Sequence, residues 1–324
     1  MVMKLKKILI WSFALLAVLV CASSCLVGRY MVNYALLPEE HGNDIEGDRR
    51  KTESRYPGII KWYDELHNAG VFKDTTITGE GGYRLHAVYA PASNPCEAEG
   101  NAIVVHGYTD NHICFLNLVR MYRDSLNYNV MVPDLHYHGY SEGRAVQMGW
   151  FDRFDVARWI KVAHNIWNND FTVVHGVSMG GATAMMLSGD ELPGYVKAFV
   201  DDCGYSSVWN QFKNNLRQQF HLPPFPILTS ASIVCKQRYG WSFKEASSLT
   251  QLAKSTKPVL FIHGEDDDFV PTAHVYDNYK AKVKGYKELW IAPGSKHAMA
   301  YKDHPSEYVQ HVRAFLAKAK ELEK

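Results

Sequence analysis

A succession of short apolar runs without polar alternation restricts what this chain can fold into. Ala102–Val105 stops at His106-Gly107, Asn129–Val132 at Pro133-Asp134, and Phe171–Val174 leads into Gly176. Tyr195–Val200 stops at Asp201-Asp202, Pro258–Ile262 at His263-Gly264, and Glu288–Ile291 before Pro293-Gly294. Strands of this kind are buried on both faces, which requires a mostly parallel sheet between layers of helix. Helical patterns separate them, over Phe115–Ser125, Phe151–Trp167, Ala182–Leu187 and, at the end, Pro305–Ala319. A hairpin precedes them: Thr75–Thr78, a turn at Gly79–Gly82, then Tyr83–Ala90. The expected architecture is α/β, a mostly parallel central sheet with an antiparallel edge and helices on both faces.

Two segments fall outside this rhythm. Residues from about 203 to 257 hold aromatics and prolines (His221-Leu222-Pro223-Pro224-Phe225-Pro226) and no clear strand. An insertion at the carboxyl end of a strand sits above the crevice where such sheets bind ligands, so this segment is expected to form a small helical cap. The other is the N-terminus. Lys4, Lys6 and Lys7 precede an uncharged run from Ile8 to Val27. About 20 residues at 1.5 Å each suffice to cross a hydrocarbon core of ~30 Å. The charge asymmetry would keep the N-terminus inside and send the remainder out. Three outcomes stand open: an uncleaved anchor, a signal peptide cut near Ala22-Ser23-Ser24, and a lipoprotein acylated at Cys25. Each places the main domain outside the cytoplasm. The expected division is therefore an anchor or signal segment over residues 1–29, a connector over 30–74 with one helix at Ile59–Ala69, and a main domain over 75–324.

The chemistry concentrates at the carboxyl ends of the strands. Gly176-Val177-Ser178-Met179-Gly180 has the form Gly-x-Ser-x-Gly, which chance alone supplies in roughly one chain in ten of this length. Its setting is more specific, because a strand precedes it and a helix of small residues follows. A strand-to-helix elbow strains Ser178, and Gly176 and Gly180 keep the flanking backbone from clashing. A serine hydroxyl needs a base, and the base needs an orienting acid. His263-Gly264-Glu265-Asp266-Asp267-Asp268-Phe269-Val270-Pro271 offers three adjacent aspartates, of which the turn pattern selects Asp267. His297 follows the last strand in Pro293-Gly294-Ser295-Lys296-His297. The order Ser, Asp, His then lies along one edge of the sheet. Two backbone N–H groups are needed for a developing oxyanion, and Met179 and Tyr108 are placed to supply them.

Other histidines compete less well. His136 and His138 lack a third ligand at useful spacing and are expected to brace a tight loop. His175 should pack against the sheet, and His263 should end its strand. Of six cysteines, Cys21 and Cys25 lie in the leader; the remaining four have no Cys-x-x-Cys pair, so no metal site is expected and buried free thiols are favoured over one disulfide.

These motifs in this order resemble the α/β-hydrolase superfamily. Met148-Gly149-Trp150-Phe151-Asp152-Arg153 and Tyr239-Gly240-Trp241-Ser242-Phe243-Lys244-Glu245-Ala246 resemble a narrower group, bacterial membrane-anchored serine hydrolases related to prolyl-oligopeptidase-like and acyltransferase-like enzymes. The resemblance covers about residues 75 to 318. It implies a triad of Ser178, Asp267 and His297, with Tyr108 and Met179 as oxyanion donors and no metal or organic cofactor.

The expected reaction is cleavage of a carboxylic ester through an acyl-enzyme, with a peptidase or amidase, or an acyltransferase, as alternatives on the same residues. The aromatics Trp209, Phe212, Phe220, Phe225 and Trp241 would line an apolar binding site or form the cap's own core. A scaffold used only for binding is disfavoured by the complete triad order. Charged residues are 21% of the chain and nearly cancel, at a net +1, so nucleic acid is not expected as a partner. The expected partners are a small ester or peptide substrate and, through the N-terminus, a membrane.

Overall fold

The computed structural model describes residues 6, 11–12 and 23–323. The apolar run Ile8–Val27 therefore lies mostly outside the described residues. Among those residues, no helix is long and apolar enough to cross a membrane.

The sheet has eight strands: β1 (Lys73–Thr78), β2 (Arg84–Ala90), β3 (Asn101–Val105), β4 (Asn129–Pro133), β5 (Thr172–Val177), β6 (Val196–Asp202), β7 (Val259–Gly264) and β8 (Lys287–Ala292). Their order across the sheet is β1-β2-β4-β3-β5-β6-β7-β8. β1 pairs antiparallel with β2, and β2 with β4; all other pairings are parallel. Every residue of β3, β4, β5 and β7 is buried. Alternate side chains enter opposite cores. Ile103, Val105, Val174, Phe199 and Phe261 pack on one face. Ala102, Val104, Val173, Ala198 and Leu260 pack on the other. This two-sided burial is why the strands read as continuous apolar runs.

The helices, in order, are α1 (residues 23–36), α2 (Ile45–Arg55), α3 (Ile59–Asn68), α4 (Leu116–Arg120), α5 (Asp152–Trp167), α6 (Met179–Ser188), α7 (Val208–Phe220), α8 (Ile227–Tyr239), α9 (Ser248–Leu252), α10 (Ala273–Ala281), α11 (Ala300–Asp303) and α12 (Pro305–Glu321). All ten residues of α6 are buried, which accounts for its small and apolar composition.

The connector differs from expectation. Besides α3, it holds the end of α1 and the whole of α2. Val32 and Leu36 of α1 are fully buried in the core on the α6 side. α2 buries Gly47, Asp48 and Thr52, a polar set with no apolar stripe for periodicity to detect. Asp48 is held there by Asn111, whose Nδ2 donates to Asp48 Oδ2 at 2.7 Å.

Candidate active site

Ser178 stands at the junction of β5 and α6 with φ 55° and ψ −115°, a conformation that only a tightly surrounded residue keeps. Its N–H donates to the Asp202 carbonyl at the end of β6, at 2.8 Å. The flanking glycines are required by contact. A Cβ on Gly176 would lie 1.9 Å from the Gly180 carbonyl oxygen, and one on Gly180 would lie 2.0 Å from the Val105 oxygen. The elbow is therefore backbone packed on backbone.

The three residues selected from the sequence meet in space. His297 Nε2 lies 2.8 Å from Ser178 Oγ. His297 Nδ1 lies 2.7 Å from Asp267 Oδ2. With Nδ1–H donating to the carboxylate, Nε2 is left to accept from the serine hydroxyl. Asp267 is buried, whereas Asp266 and Asp268 are exposed. Its Oδ1 accepts from the backbone N–H groups of Phe269 (3.0 Å) and Val270 (2.9 Å). Burial works against the carboxylate, but hydrogen bonds from His263 and His297 outweigh it and hold its pKa down at about 2.

His263 does more than end a strand. Its Nε2 is 3.3 Å from Asp267 Oδ2 and 2.8 Å from the Val270 carbonyl oxygen, so it steadies the Asp267 carboxylate from behind. Nothing in its sequence position distinguishes it from a strand terminator. The same holds for Cys203, a buried residue with φ 52° whose sulfur shares the neighbourhood of Asp267 and His297.

The loop after β3 runs beside the serine: a Cβ on Gly107 would sit 3.6 Å from Ser178 Cβ. Neighbouring N–H groups are occupied, Thr109 N–H by His138 Nε2 at 3.3 Å and Ser178 N–H as above. The next residues, Tyr108 and Met179, both line the cavity over Ser178. The Tyr108 hydroxyl donates to the Ala35 carbonyl of α1 at 3.0 Å.

The remaining histidines serve the framework. His138 accepts from Thr109, and His136 Nε2 accepts from the Arg144 N–H at 3.1 Å, as expected for loop braces. His175 bridges the hydroxyls of Tyr122 (3.0 Å) and Tyr308 (2.9 Å), and burial lowers its pKa to about 3. His86 and His112, not singled out from the sequence, flank buried Asp134 through their Nδ1 atoms at 2.8 and 2.9 Å. His86, His112 and Asp134, and likewise Cys203, Asp267 and His297, cluster closely enough to hold a metal. In both clusters the imidazole and carboxylate atoms are already hydrogen-bonded to one another. The cysteines among the described residues, Cys25, Cys96, Cys114, Cys203 and Cys235, are free thiols.

Above Ser178 lies a cavity of about 530 Å³, within the ~300–1,000 Å³ typical of small-molecule sites. Of the five aromatics considered for it, only Phe212 and Phe220 line it. Trp241 is fully buried in the core and donates to Gln147 Oε1 at 3.0 Å. Phe225 is 75% exposed. Trp209 is covered by the Lys244 ammonium, 4.6 Å from its ring. The wall absent from the sequence reading is α1, which contributes Met31, Tyr34 and Ala35. Its signal was present in Met31, Val32, Ala35 and Leu36, apolar at helical spacing beyond the charge-free run.

The sheet order, the elbow after β5 and the loops carrying Asp267 and His297 define an α/β-hydrolase fold. The prolyl oligopeptidase family profile matches residues 136–322, and the chain belongs to that family, which places it among hydrolases. It is 32% identical over 223 residues to the uncharacterized protein YqkD of Bacillus subtilis (strain 168), covering 68% of this chain and 72% of that one. Among solved structures, the Pyrococcus furiosus esterase Pf2001 superposes with a TM-score of 0.63 at 21% identity, covering 78% of this chain and 95% of the esterase. A puromycin-hydrolyzing peptidase of Mycobacterium tuberculosis superposes with a TM-score of 0.59 at 20% identity, over 76% of this chain and 39% of the peptidase. At these identities the two likenesses speak for the fold.

Proposed function

We propose that the protein is a serine hydrolase that cleaves carboxylic esters through an acyl-enzyme. The observation that carries this is the continuous chain Ser178 Oγ–His297 Nε2 and His297 Nδ1–Asp267 Oδ2, at 2.8 and 2.7 Å. His297 takes the hydroxyl proton as Ser178 Oγ attacks the carbonyl carbon, and Asp267 stabilises the imidazolium that forms. The N–H groups of Tyr108 and Met179 receive the oxyanion, aided by the N-terminus of α6. His297 then protonates the leaving alkoxide, and water, activated by the same imidazole, releases the acid.

The preference for esters rests on the apolar cavity over Ser178. Peptidase activity is the second reading, favoured by membership of the prolyl oligopeptidase family. Nitrophenyl esters assayed against aminoacyl amides divide the two: faster amide turnover would replace the ester assignment. A fluorophosphonate probe should label the protein at Ser178 and fail to label Ser178→Ala.

We also propose that the N-terminal run anchors the protein with its catalytic domain outside the cytoplasm. The support is the charge pattern of residues 4–27. Recovery of the protein in alkaline-washed membranes, with digestion by protease added outside spheroplasts, is the expected result. A soluble or protease-shielded domain would overturn it.

A further inference from the structure

The N-terminal run does not end in a free linker. It passes directly into α1, and α1 is a wall of the cavity that holds Ser178. Three contacts fix it there. A Cβ on Gly28 would fall 2.8 Å from the backbone of Ser230, so α1 and α8 cross with their backbones touching. Arg238 of α8 donates to Asn33 Oδ1 at 2.6 Å. The Tyr108 hydroxyl donates to the Ala35 carbonyl, joining α1 to the loop beside the nucleophile. Inside, the lining from α1, α7 and α8 is dominated by carbon: Met31, Ala35, Phe212, Leu216, Leu228 and Ala231. Outside, the same elements and the turn between α7 and α8 leave Leu26, Val27, Tyr30, Leu222, Phe225 and Ile233 exposed. Glu39, in the turn that follows α1, is the one charged side chain among the described lining residues, and Gln211, Asn215 and Gln219 add polar groups from α7. A lining that is otherwise mostly apolar suits a hydrocarbon chain, and an exposed apolar collar that includes Leu26 and Val27 of the N-terminal run suits a bilayer surface.

We infer that the cavity takes the long acyl chain of a membrane lipid ester, delivered from the bilayer along α1. This rests on the serine-esterase reading above. The bond formed is Ser178 Oγ to the acyl carbonyl carbon, and the bond broken joins that carbon to the lipid alcohol oxygen. The serine proton passes through His297 to that alcohol, and water then releases the fatty acid.

The test uses the full chain in detergent micelles with nitrophenyl esters from acetate through octanoate to palmitate, and in phosphatidylglycerol vesicles carrying monopalmitoylglycerol. We expect kcat/KM to rise about tenfold or more from acetate to the optimal long chain, since each pair of buried methylenes can contribute about a factor of ten. Palmitate should be released from the vesicles. Ala35→Trp, which fills the cavity from the α1 side, should lower the long-to-short ratio about tenfold. Gly28→Leu, which pushes α1 off α8 without entering the cavity, should lower it in the same direction. An acetate optimum, or no palmitate release from vesicles, while the fluorophosphonate probe still labels Ser178, overturns the lipid inference and leaves the serine hydrolase standing. Absence of labelling in the unaltered protein would instead bring down the hydrolase reading.

Discussion

Beneath Ser178 the molecule is buried backbone, with Gly176, Gly180 and the ends of β3 and β6 in direct contact, whereas above it α1, α7 and α8 are half-exposed helices whose side chains enclose open space, their backbones touching where Gly28 of α1 meets Ser230 of α8. The lower region has no room for an added methyl group; the upper one leaves a cavity of about 530 Å³. The proposed chemistry would tolerate only displacements well below an ångström, and its residues sit on the part that cannot move. Recognition tolerates variation and sits where side chains can change without disturbing the sheet. The same division appears in the electrostatics. Ionisable groups surround the base of the site, while the cavity's α1, α7 and α8 lining is mostly apolar.

The sharpest way to break this division is through Ser178, the proposed nucleophile. Ser178→Ala should lower ester turnover by ~10⁴-fold or more, read as kcat with the protein folded. Asp267→Asn should cost on the order of 10⁴-fold, because the amide favours the wrong imidazole tautomer. Asp266→Asn and Asp268→Asn, on exposed side chains, should stay within about threefold, a change of well under 1 kcal/mol in the barrier. Comparable losses in all three would dissolve the distinction between the acid and its neighbours.

Stability should divide in the same way. Gly180→Ala forces a Cβ against the Val105 carbonyl and should destabilise by about 3 kcal/mol or more in denaturant unfolding. Phe225→Ser, on the exposed collar, should change stability by no more than about 0.5 kcal/mol. If the two proved equal, the contrast between a rigid base and a permissive roof would be lost.

A further expected effect concerns pH. Burial pushes the Asp201 carboxyl up to about 8, with Oδ1 accepting from the Gly204 N–H and Oδ2 unpaired. The folded chain thus keeps a proton that the unfolded chain releases above about pH 4. Its contribution to stability should decline as pH rises from about 4 to about 8 and level off beyond. Asp201→Asn should flatten that decline in thermal melts; an unchanged slope would assign it to other groups. Asp267 runs the other way. Its carboxylate, held down at about 2, stabilises the fold above about pH 4, and that stabilisation is lost as pH falls toward 2.

Most of the sheet was legible because residues buried on both faces leave unbroken apolar runs. β5 and α6 were readable on either side of Ser178, although α6 begins immediately at Met179, earlier than its small-residue pattern suggested. α2 was not legible. A polar helix held by Asn111 and buried through Asp48 has no periodicity to display, since its partners lie some sixty residues away. The aromatics of the cap stayed undecided between cavity lining and core for a related reason: composition marks Trp209, Phe225 and Trp241 as apolar, but only packing decides whether such a ring faces a cavity, a core or water.

The sequence by itself determined the α/β architecture, the elbow at Ser178, and the order in which Asp267 and His297 follow it. These are local or periodic properties, carried by strand burial, glycine contacts and loop position. The tertiary structure alone decided that Asp267 is the buried aspartate of three, that His263 supports it, and that α1 walls the cavity over Ser178. Those outcomes depend on which groups water is excluded from when distant segments pack together, and no stretch of sequence encodes that alone.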